Sequence, residues 1–407
     1  MLAKTPEQVQ SLPSKRAMYI SAVLAALAAI TALKAYRYPS GGDFGAFYVV
    51  AQRVWHGDLD LAYRIESFAR LQMDAFGARG STSWTYPPQF DLLLAPLAFV
   101  PIWAAYVLFM VATLAVYLAT LRAIAKNNFA RALVIVFPAI ALNLFVGQNG
   151  LLTGTLIGVF CINAQKRQLR ADVLAGLALG AMVIKPHLAV PAGIYLLATR
   201  RWAAIAVAAM VVVVSSLLCT LVLGPQIWTA WLGAIREATG YLEQGSYKLY
   251  RMISAYATLY RAGMPATGAF WGQAVVACLA LLAVVLGIAR RVPPSFALGI
   301  SAMASVMISP YAYDYDLPIL GIGLALMLPD LTRLASPGER GIMYGLVMLP
   351  GAYGLLAIFL APLEKTTLSS LAVMALLALL LRILSRRVQP IPASNNEPTD
   401  ILPHRAR

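Results

Sequence analysis

The chain has 407 residues, of which 60% are hydrophobic and only 12% charged, with a mean hydropathy of +0.73 and a formal net charge of +15. A soluble enzyme is excluded by that balance, and an integral membrane protein is indicated. The surplus cations then read as a topology signal and not as a nucleic-acid surface.

Apolar runs fall in chain order at about 17–33, 89–121, 131–147, 149–164, 171–185, 187–198, 202–223, 270–289, 295–309, 315–328, 341–360 and 367–385. A helix needs ~20 residues to cross ~30 Å of hydrocarbon, so several of these cannot span unaided. The expected fold is all-α and polytopic, with about twelve transmembrane helices. The pairs 131–164 and 171–198 read either as two tilted helices each or as broken helices shielded by neighbours. The 89–121 run opens with a short separate helix before Pro101. The first run lacks a cleavage site, because Lys34 and Arg37 follow it closely, and is read as a retained span. One domain, 1–388, is expected, followed by a disordered cytoplasmic tail at 389–407.

Cations recur at alternate connections. Lys4, Lys15 and Arg16 precede the first run. Arg122, Lys126 and Arg131, then Lys166, Arg167 and Arg170, then Arg200 and Arg201, Arg290 and Arg291, Arg333 and Arg340, and Arg382, Arg386 and Arg387 follow. Placed inside, they give one topology with both termini cytoplasmic, as expected of a multi-pass plasma-membrane protein. Every chemically unusual stretch then lies extracytoplasmically: loop 34–88, "VGQNG", "IKPH", loop 224–269 and "SPYAYDYDLP". No phosphate-binding glycine loop or dinucleotide fingerprint is present. Cys161, Cys219 and Cys278 sit in apolar runs, and three histidines without ligand spacing make a zinc site improbable. Gly150, Gly154 and Gly158, and again Gly176 and Gly180, fall four apart, a spacing that lets helices approach closely.

Within loop 34–88, Phe47, Val50 and Val54, then Ile65, Phe68, Leu71 and Phe76, follow helical spacing and predict short helices on the membrane surface. Asp43 stands at the start of the first. It is open to two readings: a helix-capping acid, or a carboxylate that accepts the proton of a reacting hydroxyl.

The segments "GGDFGAFYVVAQRVWHGDLDLAY", "YPPQFDLLLAPLAFVP", "LNLFVGQNGLLTGTLIG", "GLALGAMVIKPHLAVP" and "YRMISAYATLYRAG", in that order, resemble the polyprenyl-phosphate-sugar-dependent glycosyltransferases of family 87, members of the GT-C superfamily. The resemblance implies an enzyme that moves a hexose, mannose being favoured, from a polyprenyl-phosphate carrier to a hydroxyl of a lipid or glycan acceptor, with inversion, on the extracytoplasmic face. It also implies that Asp43 is the general base. A leaving lipid phosphate asks for cations, and Lys185, His187 and Arg251 are the candidates; a lysine snorkelling from a helix end is the plain alternative for Lys185. Tyr86, Gln148, Asn149, Tyr313, Asp314 and Asp316 are assigned to sugar and acceptor binding. A solvated acidic turn at 313–316, and an interfacial aromatic belt in 224–269, are the plain alternatives there. The chain departs from the family where histidine is usual in the outer connection and "YAYDYD" stands instead. No cofactor is expected; a divalent cation is neither required nor excluded. The competing functions are a transporter or flippase of lipid-linked sugars or small solutes, and an outer-face polymer ligase.

Overall fold

The computed structural model describes residues 15–37, 43–77, 83–360 and 367–386, so the tail and the glycine turn before Asp43 lie outside the described residues. The helices are α1 (Lys15–Arg37), α2 (Asp43–His56), α3 (Ile65–Phe76), α4 (Pro88–Leu94), α5 (Ile102–Ala125), α6 (Phe129–Val146), α7 (Gly150–Ala164), α8 (Leu169–Ala181), α9 (Pro186–Ala198), α10 (Trp202–Leu223), α11 (Gln226–Glu243), α12 (Ala255–Arg261), α13 (Ala266–Ala289), α14 (Pro294–Ser305), α15 (Pro318–Leu334), α16 (Pro337–Ala357) and α17 (Leu368–Ser385). Among the described residues the only β-pairing is an isolated bridge between Met252 and Tyr313.

Proline sets many of the starts. Pro88, Pro186, Pro294, Pro318 and Pro337 occupy the first turn of α4, α9, α14, α15 and α16, where a missing N–H costs nothing and the fixed φ suits a helix. At α16 a capping box adds to this: the Ser336 hydroxyl accepts from the Glu339 N–H and the Glu339 carboxylate accepts from the Ser336 N–H at 2.9 Å.

Each of the twelve apolar runs coincides with a helix, but they are not twelve equal spans. Among the described residues five stretches are long and apolar enough to cross a bilayer: Ile102–Val146, which holds both α5 and α6, Trp202–Leu223, Ala266–Ala289, Asp314–Leu334 and Leu368–Ser385. These lengths are those of a multi-pass membrane protein. Other apolar helices are shorter; α9, with 13 residues, covers about 20 Å. The breaks at Gly147–Asn149, Met182–Lys185 and Val306–Leu317 therefore fall inside the assembly, where protein groups take up the freed backbone atoms. As expected, a short helix and a 3-10 turn at Ala95–Phe99 precede Pro101.

The buried core is α15 with α14 beside it, enclosed by α5, α6, α7, α9 and α16. By contrast α10 lies on the outside: of its 22 residues only Ala204 and Cys219 are buried. It is held along α8, where a Cβ on Gly176 would lie 2.5 Å from the Ala204 carbonyl and one on Gly180 2.6 Å from Val211. The Gly154 and Gly158 positions likewise admit Tyr117 and Thr120 of α5.

The cation-bearing connections meet at one end. Arg167 donates to the Thr199 carbonyl at 3.3 Å, Arg201 pairs with Asp172 and donates to the Lys166 carbonyl at 2.5 Å, Arg290 donates to the Arg386 carbonyl at 3.0 Å, and Arg386 pairs with Glu339. The connections assigned to the opposite side converge at the other end, around the site described next.

Packing at the α8–α10 seam predicts that Gly176→Leu lowers thermal stability by the equivalent of about 1–3 kcal/mol, as overpacking does. Gly193→Ala, where a new Cβ meets nothing within 4 Å, is expected to leave the melting temperature in detergent unchanged.

Candidate active site

Five chain segments far apart in sequence build the site. The first turn of α2 brings Asp43. The break between α6 and α7 brings Gln148 and Asn149, the break between α8 and α9 brings Lys185 and His187, and a 3-10 turn at Leu249–Arg251 meets the Asp314–Asp316 turn. That last meeting is fixed by backbone: the Ile253 N–H donates to the Ala312 carbonyl at 2.9 Å, beside the Met252–Tyr313 bridge. Asn143 secures the same turn from α6, its amide donating to the Tyr315 carbonyl at 2.5 Å.

Charge is paired almost completely. Arg251 forks onto Asp314, with Nε to Oδ2 at 3.1 Å and Nη2 to Oδ1 at 3.0 Å, and extends Nη1 to Asp43 Oδ2 at 3.3 Å. Bidentate geometry of this kind suits guanidinium and carboxylate, and the two buried charges require it. Lys185 Nζ stands 2.6 Å from Asp316 Oδ1, and lies over the Tyr315 ring at 4.4 Å and the Tyr86 ring at 5.6 Å. Asp43 has a second partner in the Gln148 amide, 3.5 Å away. Its hydrogen-bond partners among the described residues are thus side chains across the site. The acids differ in exposure: the Asp43 side chain is 22% exposed, Asp316 2% and Asp314 0%.

These groups face a cavity of about 290 Å³. Asp43, Tyr86, Gln148, Lys185, His187, Arg251, Tyr313 and Asp316 line it, together with Ser83, Trp84, Trp231, Tyr247, Lys248 and Tyr315. Two expected residues do not: Asp314 sits behind the wall holding Arg251, and Asn149 sits behind Tyr86, whose hydroxyl it accepts at 3.4 Å while Gln148 accepts the same group at 3.3 Å. Tyr315, absent from the expected set, stacks on Tyr313 at 5.3 Å and lies beneath Lys185. Ser83 and Tyr247 share a hydrogen bond of 2.6 Å. Burial pushes the Tyr247 hydroxyl up to about 12, although the Ser83 bond pulls it down, so it stays a donor near neutrality.

A second carboxylate supports the wall from behind. Asp91 of α4 is fully buried and accepts from Tyr63 Oη at 2.5 Å and Trp84 Nε1 at 2.9 Å. Tyr63 also reaches the Tyr86 carbonyl at 3.0 Å, so the network fixes the 84–86 stretch that carries two cavity rings. Burial pushes the Asp91 carboxyl up to about 7, against the Tyr63 and Trp84 hydrogen bonds. An isolated acid inside "QFDLLLAPL" is the signal that marks it in the sequence.

The family description "Glycosyltransferase family 87" matches residues 84–310, more than half of the chain. The chain belongs to glycosyltransferase family 87. Comparison with curated proteins and with solved structures gives no match. Within the family-87 segment lie Tyr86, Gln148, Asn149, Lys185, His187 and Arg251; Asp43 precedes it, and the 313–316 turn follows it.

Two measurements check this geometry. Asp314→Asn leaves Arg251 buried with a weaker partner and is expected to destabilise the protein by roughly 3 kcal/mol or more. The second is a pH dependence. Because Asp91 binds its proton more tightly folded than unfolded, its contribution to stability is complete below pH 4 and falls by about 1.4 kcal/mol per unit as pH rises to about 7. Asp91→Asn is expected to remove that slope from the melting temperature.

Proposed function

We propose that this family-87 protein transfers a hexose, with mannose favoured by the family resemblance, from a polyprenyl-phosphate carrier to an acceptor hydroxyl, with Asp43 as general base. One observation carries the assignment. Of the two carboxylates lining the cavity, Asp316 is buried and held 2.6 Å from a lysine, whereas Asp43 alone is partly open to it. A hydroxyl is a poor nucleophile near neutral pH, so an adjacent carboxylate is needed as the new bond forms.

In this reading the acceptor oxygen attacks the anomeric carbon, its proton passes to Asp43, the carbon–oxygen bond to phosphate breaks, and polyprenyl phosphate leaves with the bonding pair. A single displacement inverts the anomeric centre. Arg251 and Gln148 hold Asp43 in place, as its hydrogen-bond partners. Arg251, Lys185 and His187 form the wall that faces the donor phosphate, and Tyr86, Tyr313 and Tyr315 supply ring faces for the sugar. The volume lies at the lower end of ligand pockets, roughly 300–1,000 Å³, which suits one sugar and a phosphate better than an extended glycan. Cation-rich connections gathered at the opposite end support an extracytoplasmic site with both termini inside.

Asp43→Asn in reconstituted protein supplied with polyprenyl-phosphate sugars is expected to cut kcat by about 10²–10⁴ while donor binding persists. Undiminished transfer by that variant overturns the base assignment. Movement of a lipid-linked sugar across sealed vesicles with no new glycosidic bond replaces the transferase reading with a transporter.

A further inference from the structure

We infer that Lys248 is the residue that seats the phosphate of the lipid-linked donor, with the Tyr247–Ser83 hydroxyl pair as its neutral companion; the inference deepens the transferase reading and rests on it.

Charge bookkeeping points there. Lys185 is committed to Asp316, and all three arginine nitrogen groups of Arg251 are directed at Asp314 or Asp43. Both cations of the wall are thus already engaged by acids, and an arriving anion needs a further donor that is not. Lys34 acts from behind the wall: it is buried on α1 over the Phe145 ring, 4.9 Å from its centroid, feels the Asp43 charge, and does not line the cavity. Lys248 does line it, is exposed, and forms no ion pair or hydrogen bond through its ammonium among the described residues.

Local geometry aims it. Lys248 caps the 3-10 turn Leu249–Arg251, and the Arg251 N–H donates to the Lys248 carbonyl at 3.0 Å. Lys248 and Arg251, three positions apart at this turn, both line the cavity. Tyr247 and Ser83 bring two hydroxyl hydrogens and share one bond between them, which leaves one O–H to donate to a phosphate oxygen. An unpaired ammonium with an adjacent hydroxyl donor is a fitting receptor for the charge that grows as polyprenyl phosphate departs.

The test uses the full chain in phosphatidylcholine vesicles, with the dissociation constant of a long-chain polyprenyl phosphate and the KM of a polyprenyl-phosphate sugar as readouts. Lys248→Gln is expected to weaken both roughly tenfold, the value of one charge-assisted hydrogen bond, with Lys248→Arg restoring them. Parent-like values for Lys248→Gln overturn the assignment. Inorganic phosphate is expected to compete poorly; competition equal to that of the lipid overturns the lipid phosphate as occupant. The two readings fail separately. Binding lost in Lys248→Gln while the parent makes no glycoside from any donor sinks the transferase reading alone. Transfer by the parent with unchanged Lys248→Gln binding sinks the phosphate seat alone.

Discussion

Everything at this end of the molecule depends on the need to neutralise Asp314. A carboxylate with no solvent exposure is tolerated only with a matched counter-charge, and the Arg251 fork supplies it. Because Arg251 sits after α11 and Asp314 before α15, the pair ties two connections 63 residues apart, and the third guanidinium nitrogen extends the tie to Asp43, 208 residues away. Lys185 and Asp316 repeat the device across 131 residues. The cavity is the space left where these ties hold the helix breaks together.

Much of the architecture was readable in advance because it follows from composition along the chain. Alternating cationic connections, the prolines that open helices, and the apolar spacing of Phe47, Val50, Ile65 and Phe68 all act locally, and the helices appear where those signals lie. The expected site residues also largely converge, since polar groups in an apolar chain must collect where they can satisfy one another. Pairing was not readable. No periodicity says that Arg251 takes Asp314 while Lys185 takes Asp316. Tyr315 carries no sequence signal for the same reason: it lies under Lys185, a contact between distant segments. Asp91 differs, because a lone acid in an apolar run was visible and its burial with Tyr63 and Trp84 is the ordinary resolution.

Helix interruptions serve the site directly. Uninterrupted spans present only side chains, whereas the breaks at Gly147–Asn149, Met182–Lys185 and Val306–Leu317 let backbone and polar side chains reach the cavity. Asn143 and Gly150 show the closeness this requires: the amide of one bonds the Tyr315 carbonyl, and the other leaves room for that same carbonyl where a Cβ would collide. The tolerance of a membrane chain for such irregular stretches comes from the short helices around them.

The peripheral placement of α10 bears on how this sequence can drift. Only two of its 22 residues are buried, so on the outward face of that helix most positions ask only for greasiness, and exchanges among valine, leucine and isoleucine there are nearly free. The two glycines of α8 beneath it carry the opposite burden, since one added methyl at either has nowhere to go. Divergence between relatives should accordingly gather on the outer stave and stop abruptly at the seam that holds it.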